Sequence, residues 1–259
     1  MSMAAADTAR AADTDDGSSQ SARAQLQLRE LILGGTLKPG TRIAELAMVE
    51  RLGMSRTPIR MALVRLEEEG LLEVLPSGGF AVRDFSEGDI HDAIELRGCL
   101  EGLAARFAAE RDVPAAVMAE ARDCVERIDV VLASPTLDDA SFAAYVEQNG
   151  RFHALLAEMS GSTIVARQIE RTVTLPFASA NAFVMMQATG TRARDRLLVA
   201  HDQHHAVLEA IGRGEAGRAE ALMQEHARHA RHNLDDALRN HQTLQRLPGA
   251  SLIRRRTTR

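Results

Sequence analysis

Residues 51–70 read RLGMSRTPIRMALVRLEEEG, and this stretch contains the signals for both ends of one helix. Gly53 ends a preceding short helix, and Ser55 is the predicted N-cap of the next one, with Pro58 in its first turn. Gly70 stops that helix. The pattern therefore predicts a helix over about 56–69. Its apolar face, predicted to pack into a core, consists of Ile59, Leu63 and Leu66.

The segments on either side of this helix complete a small domain. Two short helices are predicted before it, over about 25–34 and 44–53. After it, LLEVLPSGGFAVRDF has two apolar runs around a Pro-Ser-Gly-Gly turn and predicts a β-hairpin. Three helices and a hairpin make a winged helix-turn-helix, placed at 22–85 after a disordered tail at 1–21.

Arginine is concentrated on one face of the predicted third helix. Arg56 and Arg60 are four residues apart, with Thr57 beside them. A guanidinium group can bond bidentately to guanine or to phosphate, so this face fits the major groove of DNA. Gly78 and Gly79 would let the tip of the hairpin approach the sugar-phosphate backbone.

A solvated arginine face on a surface helix is the alternative interpretation. The whole chain is acidic, with a formal net charge of -5. Residues 21–85 hold nine Lys and Arg against eight Asp and Glu, so the positive charge is local rather than general.

Residues from roughly 25 to 85 contain the pattern PG, E..LA..LG.SRTP.R.AL..LE.EGL and P..G..V. This pattern resembles the DNA-binding domain of GntR-family transcriptional regulators. The resemblance implies contacts with operator DNA from Arg56, Thr57 and Arg60 on the recognition helix and from Gly79 at the wing tip. It leaves the operator sequence open. Three positions depart from the residues common in the family: Leu46, Met61 and Gly78.

The sequence after about residue 85 predicts long helices separated by Pro, Gly or polar turns. We expect an all-α antiparallel bundle at 86–240 and a loose basic tail at 241–259. The predicted fold class is therefore mainly α, with a winged helix-turn-helix followed by the bundle. The predicted helical spans are about 87–110, 114–133, 138–160, 162–187, 192–213 and 215–240.

Three of these helices each direct one histidine toward the bundle interior, by helical phase: His153, His204 and His226. His201 lies at the edge of its inward face, and His205 lies further out. A lone inward histidine is usually a hydrogen-bonded core residue, but three unpartnered buried rings would cost several kcal/mol. Neutral imidazoles suit divalent ions such as zinc or nickel. A metal site and hydrogen-bonded core histidines both remain open.

Three blocks of the predicted bundle read IELRGCLEGLAARFAAE, NGRFHALLAEMSG and HHAVLEAIGRGEAGRAEALMQEH. They resemble the helical ligand-binding domain called FCD, found in the FadR-like branch of GntR regulators. In metal-binding members, three histidines and an Asp four residues before the first of them are the ligands. The resemblance implies His153, His204 and His226 as ligands here, with Asn149 at the Asp position.

Arg97 has two interpretations. Its spacing predicts an i,i+4 ion pair with Glu101 inside the bundle. The FCD resemblance implies that Arg97 instead helps to bind the carboxylate of a small organic-acid effector.

The resemblance implies a homodimeric regulator, commonly a repressor, whose operator binding is controlled by an organic acid bound with a divalent metal. The rival is a helical metalloenzyme acting on a small carboxylic acid. The chain has no Glu-x-x-His pair, HExxH motif, P-loop or G-x-S-x-G elbow, so we expect no enzyme. A metal-free structural bundle is the third possibility.

Composition points to a cytoplasmic protein without a membrane partner. The two cysteines, Cys99 and Cys124, lack CxxC spacing. No apolar run approaches the roughly 20 residues that span a bilayer, and the N-terminus lacks the apolar segment of a signal peptide.

Overall fold

The computed structural model describes residues 4–134, 136–175, 177–182, 193–239 and 248–254. The chain divides into two compact units. Unit 1 combines Met1–Glu87 with Pro248–Arg259, and unit 2 is Gly88–Leu247. The mainly α fold predicted from the sequence is confirmed, since the small strands all lie in unit 1 and the described part of unit 2 is helical.

Unit 1 is built on three helices, α1 (Ala4–Leu33), α2 (Glu45–Leu52) and α3 (Arg56–Glu68). α3 occupies the predicted span, and its predicted apolar face is fully buried, with α1 packed against it. Ser55 takes the N-cap position with extended backbone, but its side chain makes no capping hydrogen bond.

Helix α1 is much longer than the predicted span of 25–34. It begins at Ala4, so it includes residues 4–21 of the segment 1–21, for which the sequence predicted a disordered tail. The alanines of this segment explain the difference, because alanine has the highest helix propensity. The C-terminal half of α1 packs inward through three fully buried side chains, Ala24, Leu28 and Ile32.

A three-stranded antiparallel sheet has the order β1-β3-β2, with β1 (Arg42–Ile43), β2 (Leu72–Val74) and β3 (Phe80–Val82). β2 and β3 form the predicted hairpin, and Val74 lies opposite Phe80. Gly78 and Gly79 at the turn have φ of 82° and 85°, values that favour glycine. The sequence does not predict β1, because two residues carry no periodic pattern.

The segment 248–254 also belongs to unit 1. In this segment β5 (Ile253–Arg254) pairs in parallel with β4 (Phe85–Ser86), which directly precedes unit 2. The prediction of a loose tail at 241–259 is therefore wrong for these residues, while 240–247 and 255–259 lie outside the described residues.

Two contacts explain why this segment is held. Leu252 is fully buried, and the Gly249 N–H donates to the Leu33 carbonyl at the end of α1 at 2.9 Å. Burial of one leucine stabilises by about 1.5–3 kcal/mol. Burial of the apolar pair Leu252 and Ile253 therefore holds the segment in place, although basic residues follow it.

Unit 2 consists of helices close to the predicted spans: α4 (Glu87–Glu110), α5 (Ala115–Ala133), α6 (Asp139–Met159), α7 (Thr163–Thr174), α8 (Ala193–Gly212) and α9 (Ala216–Arg239). α7 ends at Thr174, not near 187. Leu175 precedes a proline and has ψ of 139°, as the extended preference of a pre-proline residue requires. Residues 183–192 lie outside the described residues.

The core of unit 2 is formed by buried side chains from α4 through α9, among them Phe152, Leu155, Leu156, Val207 and Met223. The inward faces of these helices carry the residues of the candidate site. Within the described ranges, no helix is long and apolar enough to cross a lipid bilayer.

We expect Leu252→Ala to destabilise unit 1 by about 2–5 kcal/mol, because it removes a fully buried side chain and leaves a cavity. Arg254→Ala is the matched control, since it removes only a surface ion pair with Asp84, worth about 0–1 kcal/mol. Denaturant unfolding followed by circular dichroism measures both changes. Equal midpoints for the two variants would show that Leu252 is not part of the folded core.

Candidate functional site

One exposed face of α3 carries the residues that the sequence singled out for DNA. Arg56, Thr57 and Arg60 are all exposed, whereas Arg65 on another side of the helix is half-buried. The buried apolar face fixes the orientation of α3, so the two guanidinium groups face solvent together. This arrangement is suited to a nucleic-acid backbone or to base edges.

Arg42 contacts the tip of the wing, and no pattern in the sequence predicted this contact. Its Nη2 donates to the Gly78 carbonyl at 3.0 Å, and a Cβ on Gly79 would lie 3.8 Å from the same guanidinium group. Gly79 and Arg42 are both exposed. The contact could not be predicted from the sequence, because it depends on the register of the sheet, which pairs Arg42 of β1 with Ala81 of the hairpin.

Three histidines from three helices meet in the interior of unit 2. His153 of α6, His204 of α8 and His226 of α9 are buried, and each offers a ring nitrogen within 4.8 Å of the other two. The Nε2 atoms of His204 and His226 are 3.3 Å apart. Nitrogens bonded to one zinc ion at 2.0–2.1 Å lie about 3.0–3.4 Å from one another, so this spacing fits a metal ion.

The other nitrogen of each ring has its own partner, and these partners orient the rings. The pairs are His153 with Glu101 (Nδ1 to Oε1, 2.8 Å), His204 with His201 (Nδ1 to Nδ1, 3.4 Å) and His226 with Gln203 (Nδ1 to Oε1, 3.2 Å). Such partners fix the tautomer of metal-binding imidazoles. Among the described residues, the buried Nε2 of His153 has no hydrogen-bond partner. Buried polar atoms are normally hydrogen-bonded, so an unpaired one is consistent with a nitrogen that binds a metal ion.

Burial keeps the His204 and His226 rings neutral. It lowers the pKa of His204 well below the usual value, and the neighbouring His226 and His153 lower it further. Burial also lowers the pKa of His226, with His153 and Arg97 acting in the same direction. Neutral imidazole is the form that binds a metal ion, so these rings are in that form at neutral pH.

Glu101 is a fully buried carboxylate that joins Arg97 to the histidines. Its Oε2 accepts a hydrogen bond from Arg97 Nη1 at 3.2 Å, and its Oε1 faces His153. Burial alone would raise the pKa of Glu101, but the positive charge of Arg97 and the interaction with His153 outweigh that effect and lower the pKa to about 2. The ion pair expected from the i,i+4 spacing is present, and the effector contact of Arg97 stays a prediction.

Two glycines let α9 approach α4 at the turns that carry Arg97 and Glu101. A Cβ on Gly98 would lie 2.6 Å from the Ala227 Cβ, and a Cβ on Gly102 would lie 3.1 Å from the Glu220 carbonyl oxygen. Ala227 directly follows His226, so this close approach fixes the distance between the Glu101 turn and the His226 ring.

Asn149 is buried on α6, one turn before His153. Its Nδ2 donates to Asn181 Oδ1 at 2.8 Å, and Asn181 Nδ2 donates to the Val146 carbonyl at 3.0 Å. The amide oxygen of Asn149 is the atom left to act as a ligand, and that role stays a prediction. The sequence did not single out Asn181, because it falls in the span predicted as a continuous helix.

A cavity of about 380 Å³ lies beside His153 and Glu101. Its volume is in the range of small-molecule sites. Arg97 is not among the described residues that line it. Its apolar wall is Ala154, Ala157, Ala166, Ile169 and Val173, and its polar groups belong to Glu101, His153, Glu170, Ser179 and Asn181.

Two family models match this chain, one for each unit. Residues 20–82 match the description "Bacterial regulatory proteins, gntR family", and residues 92–229 match the FCD domain. The chain belongs to the GntR family of bacterial transcriptional regulators. Both resemblances inferred from the sequence are confirmed, and the members of this family are regulators rather than enzymes.

Known relatives support this assignment along the chain. A helix-turn-helix transcriptional regulator of Agrobacterium vitis is 36% identical over 151 residues, 58% of this chain and 85% of that protein. One from Streptomyces ambofaciens is 28% identical over 212 residues, 78% of this chain and 80% of that protein. The solved structure of E. coli McbR/YncC shares the fold, with TM-score 0.55 and 21% identity over 81% of this chain and 93% of that one.

We expect Gly98→Ala to destabilise unit 2 by about 1–3 kcal/mol, because the added methyl group overlaps Ala227. Gly217→Ala is the matched control in α9, since a Cβ there has no heavy atom within 4 Å among its described surroundings. Thermal unfolding of the two purified variants is the measurement. A melting temperature of Gly98→Ala equal to that of Gly217→Ala would contradict close packing of α4 on α9.

Proposed function

We propose that this GntR regulator acts as a homodimeric repressor whose operator binding is controlled by a small organic acid, held with a divalent metal ion in the FCD domain. The observation that carries the proposal is the convergence of three buried imidazoles beside a cavity. This arrangement provides an ion site and a place for a ligand next to it.

His153, His204 and His226 would hold the ion, with Asn149 as a further ligand. Zinc and nickel suit this donor set, because both bind neutral imidazole well. Three or four protein ligands leave a coordination position for an oxygen of a small molecule. The bound ion would supply positive charge and that open position.

The charges around the cavity explain why an acid would depend on the ion. Glu101 and Glu170 both line the cavity, and the positive charge of Arg97 is paired with Glu101. Glu101, Glu170 and Arg97 together carry a net charge of −1, which disfavours an organic anion in a weakly screened interior. A divalent ion at His153 would change this local net charge to +1. Arg97 remains a proposed contact for the effector carboxylate once its pair with Glu101 opens.

The DNA-binding role is proposed for the exposed face of α3 and the wing. Arg56, Thr57 and Arg60 would enter the major groove, and Gly79 would approach the backbone from the wing tip. A homodimer would present two such helices to a pseudo-palindromic operator. An effector that binds one arrangement of the dimer more tightly would shift the population toward it and so change operator affinity.

We expect Arg56→Ala with Arg60→Ala to weaken operator binding by about 100-fold, because one bidentate arginine contact is worth about 1–3 kcal/mol. Arg127→Ala with Arg228→Ala is the charge-matched control, since these two arginines lie on α5 and α9 in exposed ion pairs with Asp123 and Glu225. Fluorescence anisotropy on the operator fragment, at one fixed salt concentration, measures both affinities. Unchanged affinity of the double variant would refute the proposed DNA-binding face.

A thermal-shift screen of small carboxylic acids, with and without zinc or nickel, tests the effector site. We expect an acid that raises the melting temperature with metal and has no effect after chelation. His153→Ala should abolish the metal-dependent shift, whereas His232→Ala, an exposed position on α9, should retain it. A shift that survives both chelation and His153→Ala would place the acid elsewhere.

A further inference from the structure

A second cluster of possible metal ligands lies toward the outside of unit 2, between α5 and α8. It consists of Asp129 on α5 with His201 and His205 on α8. His201 is buried, while Asp129 and His205 are about half-exposed, each with 48% of its side chain accessible. An ion could therefore reach the cluster from solvent and still contact a ring that is fixed in the core.

The spacing of the donor atoms suits one ion. Asp129 Oδ1 lies 2.9 Å from His201 Nε2 and 3.1 Å from His205 Nε2. Three donors on an ion with bonds of 2.0–2.2 Å lie about 3.0–3.4 Å apart, so only a small expansion is needed. The two histidines are one helical turn apart, which directs both rings to the same side of α8.

We propose that Asp129, His201 and His205 form an outer binding site for a divalent transition-metal ion such as zinc, distinct from the inner site at His153, His204 and His226. The donor set of two imidazoles and one carboxylate is selective for such ions over magnesium or calcium. His205 and Glu126 also line a surface hollow of about 280 Å³, which gives room for water on the remaining coordination positions. Arg122 lines the same hollow, two turns before Asp129 on α5.

The outer site is linked to the inner one through a contact between His201 and His204. His201 Nδ1 lies 3.4 Å from His204 Nδ1. A hydrogen bond between these two nitrogens requires that one ring carries its N–H on Nδ1 and donates, while the other ring accepts. The direction of this hydrogen bond decides which Nε2 atom has a free lone pair.

An ion at the inner site needs the lone pair of His204 Nε2, so His204 carries its proton on Nδ1 and donates to His201. His201 then carries its proton on Nε2 and donates to Asp129. An ion at the outer site requires the opposite arrangement, with the His201 proton on Nδ1 and the His204 proton on Nε2. Each ion therefore weakens binding of the other. This coupling rests on the inner metal site proposed above, whereas the outer site does not.

The test titrates the full chain with zinc after removal of all metal, using calorimetry, in a variant whose inner site is disabled. We expect His153→Ala to bind one zinc ion per chain. Adding His205→Ala or Asp129→Asn should abolish that binding, and adding His232→Ala should leave it unchanged. Circular dichroism checks the fold of each variant, and His226→Gln provides a second background without the inner site.

Zinc uptake by the His153→Ala chain that persists after His205→Ala, or no uptake by either inner-site background, would overturn the outer site. Absence of the inner site would give a different result. The wild type would then bind one zinc ion, and this binding would be abolished by His205→Ala and unaffected by His153→Ala.

The coupling predicts that zinc binds the outer site at least about tenfold more weakly in the wild type than in His153→Ala, in line with the 10–100-fold effects of ligand partners on affinity. Equal outer-site affinities in the two proteins would contradict the coupling and leave the site itself supported.

Discussion

The buried negative charge of Glu101 is the constraint on which the interior of unit 2 depends. A carboxylate with no exposed surface is tolerated only when both of its oxygens have partners, and Arg97 and His153 supply them. Arg97 is itself buried and would be left uncompensated without Glu101. The carboxylate therefore holds one helix turn of α4 and one ring of α6 in fixed positions. The inward direction of His153 Nε2 follows from that contact, because a ring bonded through Nδ1 has only its other nitrogen to offer.

The two units use charge in opposite ways. In unit 1 the apolar face of α3 is buried and its arginines are exposed, which keeps them available to a partner of opposite charge. In unit 2 an arginine, a carboxylate and several histidines lie inside the helical layers, where each must be neutral or paired. The first arrangement suits recognition of a polyanion, and the second suits a small ligand or ion whose presence changes the balance of buried charges.

Much of this organisation could be predicted from the sequence. Helical phase alone identified the three inward histidines, because each lies in a strongly periodic helix where one position determines the face. Phase also placed His201 at the edge of its helix, yet the ring is buried, since α5 packs over that edge and supplies Asp129 as its partner. Partners contributed by another helix, such as Asp129 and Asn181, have no spacing along the chain to reveal them. The Leu-Ile pair near residue 252 was obscured by its basic neighbours.

The parallel pairing of β4 with β5 has a consequence for the order in which this protein can fold. β4 immediately precedes unit 2 and β5 follows it, so the ribosome releases the whole of unit 2 before the last strand of unit 1 exists. During synthesis, the apolar surface that Leu252 covers stays exposed to solvent until this last segment has been made. The helical unit, whose contacts lie within one continuous stretch, can fold first, and the DNA-binding unit is completed only after β5 has been synthesised.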